Sequence, residues 1–214
     1  MILGMSLIPT QMVLETRTFS VVIRRKWFHL LATLLFGPVT LLMPQLMSLG
    51  YAVALCGLAV IENLRSDMLF LQSFYINFLD PSKDNPLLPV VSHIFLILGC
   101  AIPLWIAECD LIEFQQQKVL AQWGVLCLGV GDAAGAVIGS WYGKYRWGQN
   151  QRTMEGSLAM WISIFGISFM MFPKQNLLVL IISTTLTSLV EAFTSQMDNM
   201  VLPLVGSISF LVLT

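Results

Sequence analysis

The apolar positions along the chain fall in long unbroken runs, and short polar stretches separate them. Runs of about 20 apolar residues are what a bilayer core roughly 30 Å thick requires of a helix. Seven such segments are predicted, at about 27–43, 46–61, 91–107, 119–138, 157–172, 177–193 and 201–214. Pro38 and Pro44 bend or end the first of them. Residues 1–23 are only mildly apolar and are expected to lie along the membrane surface; Arg24, Arg25 and Lys26 then open the membrane-embedded part, 24–214. The connections include a polar loop with Asp80, Lys83 and Asp84, an acidic one with Glu108, Asp110 and Glu113, and a basic one from 140 to 156. There is no internal repeat and no low-complexity tract. The expected fold is all-α, a polytopic transmembrane bundle of about seven helices.

Composition agrees with the pattern. Hydrophobic residues make up 57% of the 214 and charged residues 11%, against about 25% charged in a soluble domain. Mean hydropathy is +0.79. A net charge of −1 gives no reason to expect a nucleic-acid partner. Cys56, Cys100, Cys109 and Cys127 form no CxxC pair and read as packing residues. No N-x-S/T site and no removable signal peptide is present. With seven segments, nine basic residues fall on the side of the N-terminus and only Lys118 and Lys174 on the other. The positive-inside rule then places the N-terminus and the 140–156 loop in the cytosol.

Ionisable groups at membrane depth are costly and usually kept for function. Three stand out. Glu62 has a structural explanation in Arg65, one helical turn away, and Glu191 has one in simple solvation at the end of its segment. Asp132 is different, because it sits in Gly129-Val130-Gly131-Asp132 within an apolar run. Gly131, Gly135, Gly139 and Gly143 recur every four residues, a spacing that lets membrane helices pack closely. That spacing explains the glycines but not the aspartate, nor the polar loop that follows. The loop carries Lys144, Arg146 and Arg152 with Thr153, Glu155 and Gly156, a plausible phosphate and metal environment. It is not a P-loop, since Gly143-Lys144 is followed by Tyr145. A continuous helix would hold Asp132 and Lys144 about 18 Å apart, so a break near the glycines is expected if both serve one nucleotide.

These residues resemble a known family. Asp132-Ala-Ala-Gly-Ala-Val-Ile-Gly139-Ser-Trp-Tyr-Gly143, followed by Arg152-Thr153-Met-Glu155-Gly156, is similar to the CTP-binding signature of the polyprenol kinases. Arg25-Lys26-Trp-Phe28-His29, Ser92-His93 with Gly99, and Pro103-Leu-Trp105 resemble further stretches of that family. Glu191-Ala-Phe-Thr194-Ser-Gln196-Met-Asp198-Asn199 resembles its dolichol branch more than its phytol branch. The similarity covers roughly 24–205. Gly135 stands where the family usually has Ala, and Gln151-Arg152 where it commonly has two lysines, which removes one cationic phosphate contact.

The resemblance implies transfer of the CTP γ-phosphate to the hydroxyl of dolichol or another long polyprenol, at the endoplasmic reticulum membrane. It implies Mg²⁺ held by Asp132 with Glu155 or Asp198. Phosphate contacts would come from Lys144, Arg146, Arg152 and Thr153, and from the backbone at Gly129, Gly131, Gly139, Gly143 and Gly156. The alcohol proton would pass to Asp132, Glu191 or His29. The alternatives are a catalytically inactive paralogue or fragment, a CTP-using cytidylyltransferase, and a transporter or assembly subunit that uses Asp132 for protons or packing. An intramembrane aspartyl protease lacks its second catalytic Asp and its Pro-Ala-Leu motif here. The sequence leaves the oligomeric state open.

Overall fold

A computed structural model describes residues 21–65, 67–68, 92–109, 112–148, 152–194 and 198–214. Among the described residues the regular elements are seven helices: α1 (Val21–Leu42), α2 (Pro44–Arg65), α3 (Ser92–Ala107), α4 (Phe114–Tyr142), α5 (Met154–Met171), α6 (Leu177–Phe193) and α7 (Asp198–Leu213). Three of them, α2, α4 and α5, are long and apolar enough to cross a membrane; the others are shorter apolar helices. The protein is therefore an all-helical membrane bundle. Of the expected features, most of the 1–23 segment, the loop with Asp80, Lys83 and Asp84, Asp110, Gln151 and Gln196 lie outside the described residues, as do the side chains of Arg24, Arg25 and Lys26.

The helices overrun the apolar segments that announced them. α1 begins at Val21 rather than 27, α4 spans Phe114–Tyr142 rather than 119–138, and α7 begins at Asp198 rather than 201. Hydropathy marks only the stretch that suits a bilayer, whereas Arg, Lys and Gln are good helix formers and extend the backbone past it. An Asp in the first turn also complements the helix dipole of α7. Pro38 stays inside α1, while Pro44 takes the first position of α2, where its missing N–H costs nothing. Thr153 caps α5 by accepting from the Gly156 N–H, and Asn176 caps α6 by accepting from the Leu178 N–H.

α4 is the centre of the bundle. About its most apolar stretch 61% of residues are buried, against 11% for α2. Val119, Trp123 and Cys127 of α4 pack with Met160 and Ile164 of α5, Leu180 of α6, and Leu202 and Phe210 of α7. Leu120 and Ala121, on another face, pack with Met47 and Tyr51 of α2 and Ala101 and Leu104 of α3. In a bilayer, lipid is as apolar as these side chains, so association rests on close packing and interhelical hydrogen bonds. Both are present. A Cβ on Gly156 would lie 2.8 Å from the Gly135 carbonyl oxygen, and one on Gly206 would collide with the Trp123 indole nitrogen and the Thr187 hydroxyl. The Gln122 amide donates to the Gly37 carbonyl at 3.0 Å, and the Trp161 indole N–H to Thr185 Oγ1 at 2.9 Å.

Candidate functional site

Side-chain contacts bring the starts of α1, α3, α5 and α7, the end of α6 and the C-terminal half of α4 to one end of the bundle. That end holds the buried carboxylates Asp132, Glu191 and Asp198. Asp132 reaches it through an irregularity in α4: from Leu126 to Gly131 the helix widens into a π-turn, and the Asp132 N–H donates to the Cys127 carbonyl five residues back. A π-turn takes one more residue than an α-turn and re-phases the helix faces, a device common at functional sites. Here it sets Asp132 on the same inward side as Cys127, with only 2% of its surface exposed.

Arg152 is the hub of the cluster. Its Nη1 lies 2.7 Å from Glu191 Oε1 and 4.0 Å from Asp132 Oδ1, and its Nη2 donates to Asp198 Oδ2 at 2.8 Å. Three carboxylates from α4, α6 and α7 thus converge on one guanidinium from the loop ahead of α5. The carboxylate side chains are 1%, 4% and 6% exposed, while that of Arg152 is 24% exposed. Arg152 is therefore the member of the cluster that water and solutes reach most readily. His29 Nδ1 stands 3.6 Å from Asp132 Oδ2. On the far side of Glu191, Oε2 accepts from the Ser157 hydroxyl at 3.0 Å, and Ser157 in turn accepts from the Trp147 indole N–H at 3.1 Å.

The described parts of the loop that carries Arg152, 145–147 and 152–154, pair antiparallel. Arg146 bridges Thr153, the Trp147 N–H donates to the Arg152 carbonyl at 3.1 Å, and the Met154 N–H donates to the Tyr145 carbonyl at 2.8 Å. Gly148 sits in it with φ of 58°, a left-handed conformation that glycine adopts without a Cβ penalty. At the start of α7, Asp198 Oδ1 accepts the Asn199 N–H, and the Asn199 amide reaches the Ser92 carbonyl of α3 at 3.4 Å.

The structure brings together five of the residues singled out in the sequence: His29, Asp132, Arg152, Glu191 and Asp198. It keeps others apart. Glu155 points to the opposite side of the loop and accepts from the backbone N–H groups of Lys144 and Tyr145, at 3.0 and 3.2 Å. Lys144 and Arg146 are exposed on the turn. α4 does not break near its glycines; it runs unbroken to Tyr142, so the separation of Asp132 from Lys144 stands. The amides of Gly129, Gly131 and Gly139 lie within this continuous helix, Gly143 donates to the Gly139 carbonyl, and Gly156 donates to Thr153. Backbone N–H groups already engaged in this way have no free bond for a phosphate. The glycines do close packing instead: Gly131 faces Ile164, Gly135 faces Gly156, and Gly139 and Gly143 face Thr153. Glu191 is buried rather than solvated, and Glu62 pairs with Arg65 at 2.7 Å.

Ser157 and Trp147 escaped the sequence reading. The one signal for Ser157 is a hydroxyl in the first turn of an apolar helix; for Trp147 there is none. Among the described residues no three His, Cys, Asp or Glu side chains form a ready-made metal cage.

Comparison with known proteins gives a consistent set of relatives. The chain is 31% identical over 199 residues to a dolichol kinase of Arabidopsis thaliana, covering 86% of this chain and 34% of that protein. It is 30% identical over 191 residues to a dolichol kinase of Schizosaccharomyces pombe, with 85% and 37% covered. To the human dolichol kinase it is 28% identical over 198 residues, with 85% and 36% covered. The chain thus spans about a third of the length of these relatives. No family model matches the sequence, and no solved structure matches the fold.

Proposed function

We propose that this chain, which belongs to the dolichol kinase family, carries the phosphate-transfer centre of a lipid-alcohol kinase that uses CTP to phosphorylate dolichol or a similar long polyprenol. The observation that carries the reading is the convergence of Asp132, Glu191 and Asp198 on Arg152 at one polar end of an otherwise apolar bundle. A water-soluble nucleotide reaches such an end from solution, and a lipid hydroxyl reaches it from the bilayer surface. The alternative of a packing or transport role for Asp132 alone leaves the other three ionised groups unexplained.

Phosphoryl transfer asks the protein for positioning and charge neutralisation more than for covalent chemistry. Arg152, with its planar fork and partial exposure, is the group for the nucleotide phosphates, aided by the exposed Lys144 and Arg146 on the same loop. Mg²⁺ is commonly held by one or two carboxylates plus substrate phosphates, and the hard oxygens of Asp132 fit that need; Asp198, whose two oxygens accept from Asn199 and Arg152, joins it when the guanidinium turns to the phosphates. When bound it would supply neutralisation of charge on the transferred group. Glu155, committed to two backbone amides, does not fit the same role.

Both Glu191 oxygens already accept bonds, from Arg152 and from Ser157. Glu191 therefore serves to hold the guanidinium, and the alcohol proton passes to the Asp132–His29 pair. Basic residues gather at this end, with Arg65, Lys144, Arg146 and Arg152 there and Lys118 and Lys174 nearer the other. That bias supports a cytosolic site, and the family resemblance supports the endoplasmic reticulum.

The test is phosphate transfer from γ-labelled CTP, against ATP, to dolichol by the purified chain in detergent. CTP-dependent dolichyl phosphate that disappears in Asp132→Asn, with folding unchanged, is the expected result. Near-normal transfer by Asp132→Asn would remove Asp132 from the chemistry. Absence of both transfer and CTP binding would favour a non-enzymatic role.

A further inference from the structure

α5 carries an aromatic ladder. Trp161 stacks on Phe165 with ring centroids 5.1 Å apart and planes 10° apart, and Phe165 stacks on Phe169 at 6.0 Å and 18°. The ladder is anchored: the Trp161 indole N–H donates to Thr185 of α6, which fixes the first ring in place. It begins one turn below Ser157, the residue bonded to Glu191, and each further ring lies about 6 Å deeper along the helix. At its upper end the Trp147 ring meets Phe193 with centroids 5.7 Å apart, and Trp147 itself donates to Ser157. Two aromatic groups, Trp147–Phe193 at the ionic cluster and Trp161–Phe165–Phe169 below it, therefore mark the α5–α6 seam. Its flanks are open to the bilayer, with Leu158, Ile162, Phe169 and Phe193 exposed.

We propose that this α5–α6 seam is the track on which the isoprenoid chain of the alcohol substrate lies, with Trp147 and Phe193 at its mouth and Trp161, Phe165 and Phe169 beneath the first isoprene units. The assignment rests on the lipid-alcohol kinase reading above. An annulus of ordinary lipid needs only apolar side chains of any shape, and α2 presents such a face with Leu46, Leu49, Val53 and Val60. The α5 rings differ in being stacked nearly parallel, anchored at Trp161 by a hydrogen bond, and set one helical turn from Ser157. In such a stack the faces are turned to one another and the outward surface is a row of ring edges; their positive rims suit the electron-rich double bonds of an isoprenoid chain, and the ring spacing is comparable to one isoprene unit. A hydroxyl at the head of a chain so placed arrives beside Ser157 and Glu191, next to Arg152 and Asp132.

The experiment uses the whole chain in phosphatidylcholine nanodiscs with a long polyprenol that carries a diazirine a few units from its hydroxyl. Mass spectrometry then locates the adducts. They should concentrate on residues 158–169 and 186–193, and unlabelled polyprenol should compete while extra phosphatidylcholine should not. Adducts spread equally over α2, or equal competition by phosphatidylcholine, would overturn the assignment and leave the seam as general lipid surface. A second arm replaces Phe165 and Phe169 by Leu, which keeps the helix apolar and leaves the Trp161–Thr185 bond in place. KM for a long polyprenol should rise about tenfold, while the rate with a short prenol too small to reach Phe165 stays unchanged; equal loss for both alcohols would count against the track. Focused adducts without CTP-dependent turnover would sink the kinase reading and keep the track, whereas turnover with scattered adducts would do the reverse.

Discussion

Replacing Arg152 by Met is the sharpest test of how the polar end is held together. The substitution keeps an unbranched apolar stem and removes the charged guanidinium. The guanidinium makes close ionic contacts at 2.7 Å to Glu191 and 2.8 Å to Asp198, and stands 4.0 Å from Asp132. None of the three carboxylate side chains is more than 6% exposed. Breaking a buried ion pair by removing one partner costs about 3–5 kcal/mol, because the abandoned charge stays buried. Arg152 is itself 24% exposed, so water screens part of the loss and the lower end, about 3 kcal/mol, is the working figure. For a chain of this size that is a fall of roughly 6–12 °C in Tm. The assay is thermal unfolding in detergent followed by tryptophan fluorescence, for Arg152→Met, Glu191→Gln and the double variant. Removing the negative charge at 191 relieves the repulsion that Arg152→Met creates, so the double variant should be more stable than the sum of the singles implies, by about 1 kcal/mol or more. An Arg152→Met protein that unfolds at the parent temperature, with strictly additive effects in the double variant, would refute the cluster as the organiser of this end.

Three further outcomes follow from particular contacts. Arg152→Lys keeps the charge but not the fork, so one of the two short contacts goes; transfer activity should fall roughly tenfold or more while Tm drops less than in Arg152→Met. Ser157→Ala removes the donor to Glu191 Oε2 and should lower kcat by about tenfold, the worth of one hydrogen bond to a charged group, with the apparent affinity for CTP little changed in a binding titration. Gly206→Val drives a side chain into the Trp123 ring and the Thr187 hydroxyl and should destabilise the bundle by about 1–3 kcal/mol in the same thermal assay, whereas Gly57→Ala on α2, where nothing lies within 4 Å, should leave Tm unchanged.

What was legible in the sequence, and what was not, divides along a physical line. Among the described residues, helix number and order were legible because a bilayer imposes a length on each apolar run, and that length survives errors at the ends. Asp132 was legible because an ionised group inside such a run has a large cost and needs a reason. The pairing of Arg152 with Asp198, 46 positions apart, was not: nothing in the local pattern of either residue says which helix end meets which. Glu155 shows the opposite failure. It lies in the motif beside Arg152 and Thr153, yet it stands in the first turn of α5 and turns back on the Lys144 and Tyr145 amides. Adjacency along a motif is not adjacency in space once a helix starts within it.

The glycine spacing illustrates the same division from the side of function. Gly131, Gly139 and Gly143 suit a phosphate-cradling loop and a close helix crossing equally well on paper. The unbroken α4 decides for the crossing, since its amides are engaged along the helix and α5 lies against the glycine face. The crossing has its own consequence for the site. By letting α5 approach α4 so closely that Gly156 meets Gly135, it brings Arg152, just ahead of α5, to 4.0 Å from Asp132. The glycines thus act on the chemistry through distance. A bulkier residue at Gly135 or Gly156 should separate Arg152 from Asp132 before it unfolds the protein, so activity should fall further than stability, and comparison of transfer rate with Tm for Gly135→Ala and Gly156→Ala measures that difference.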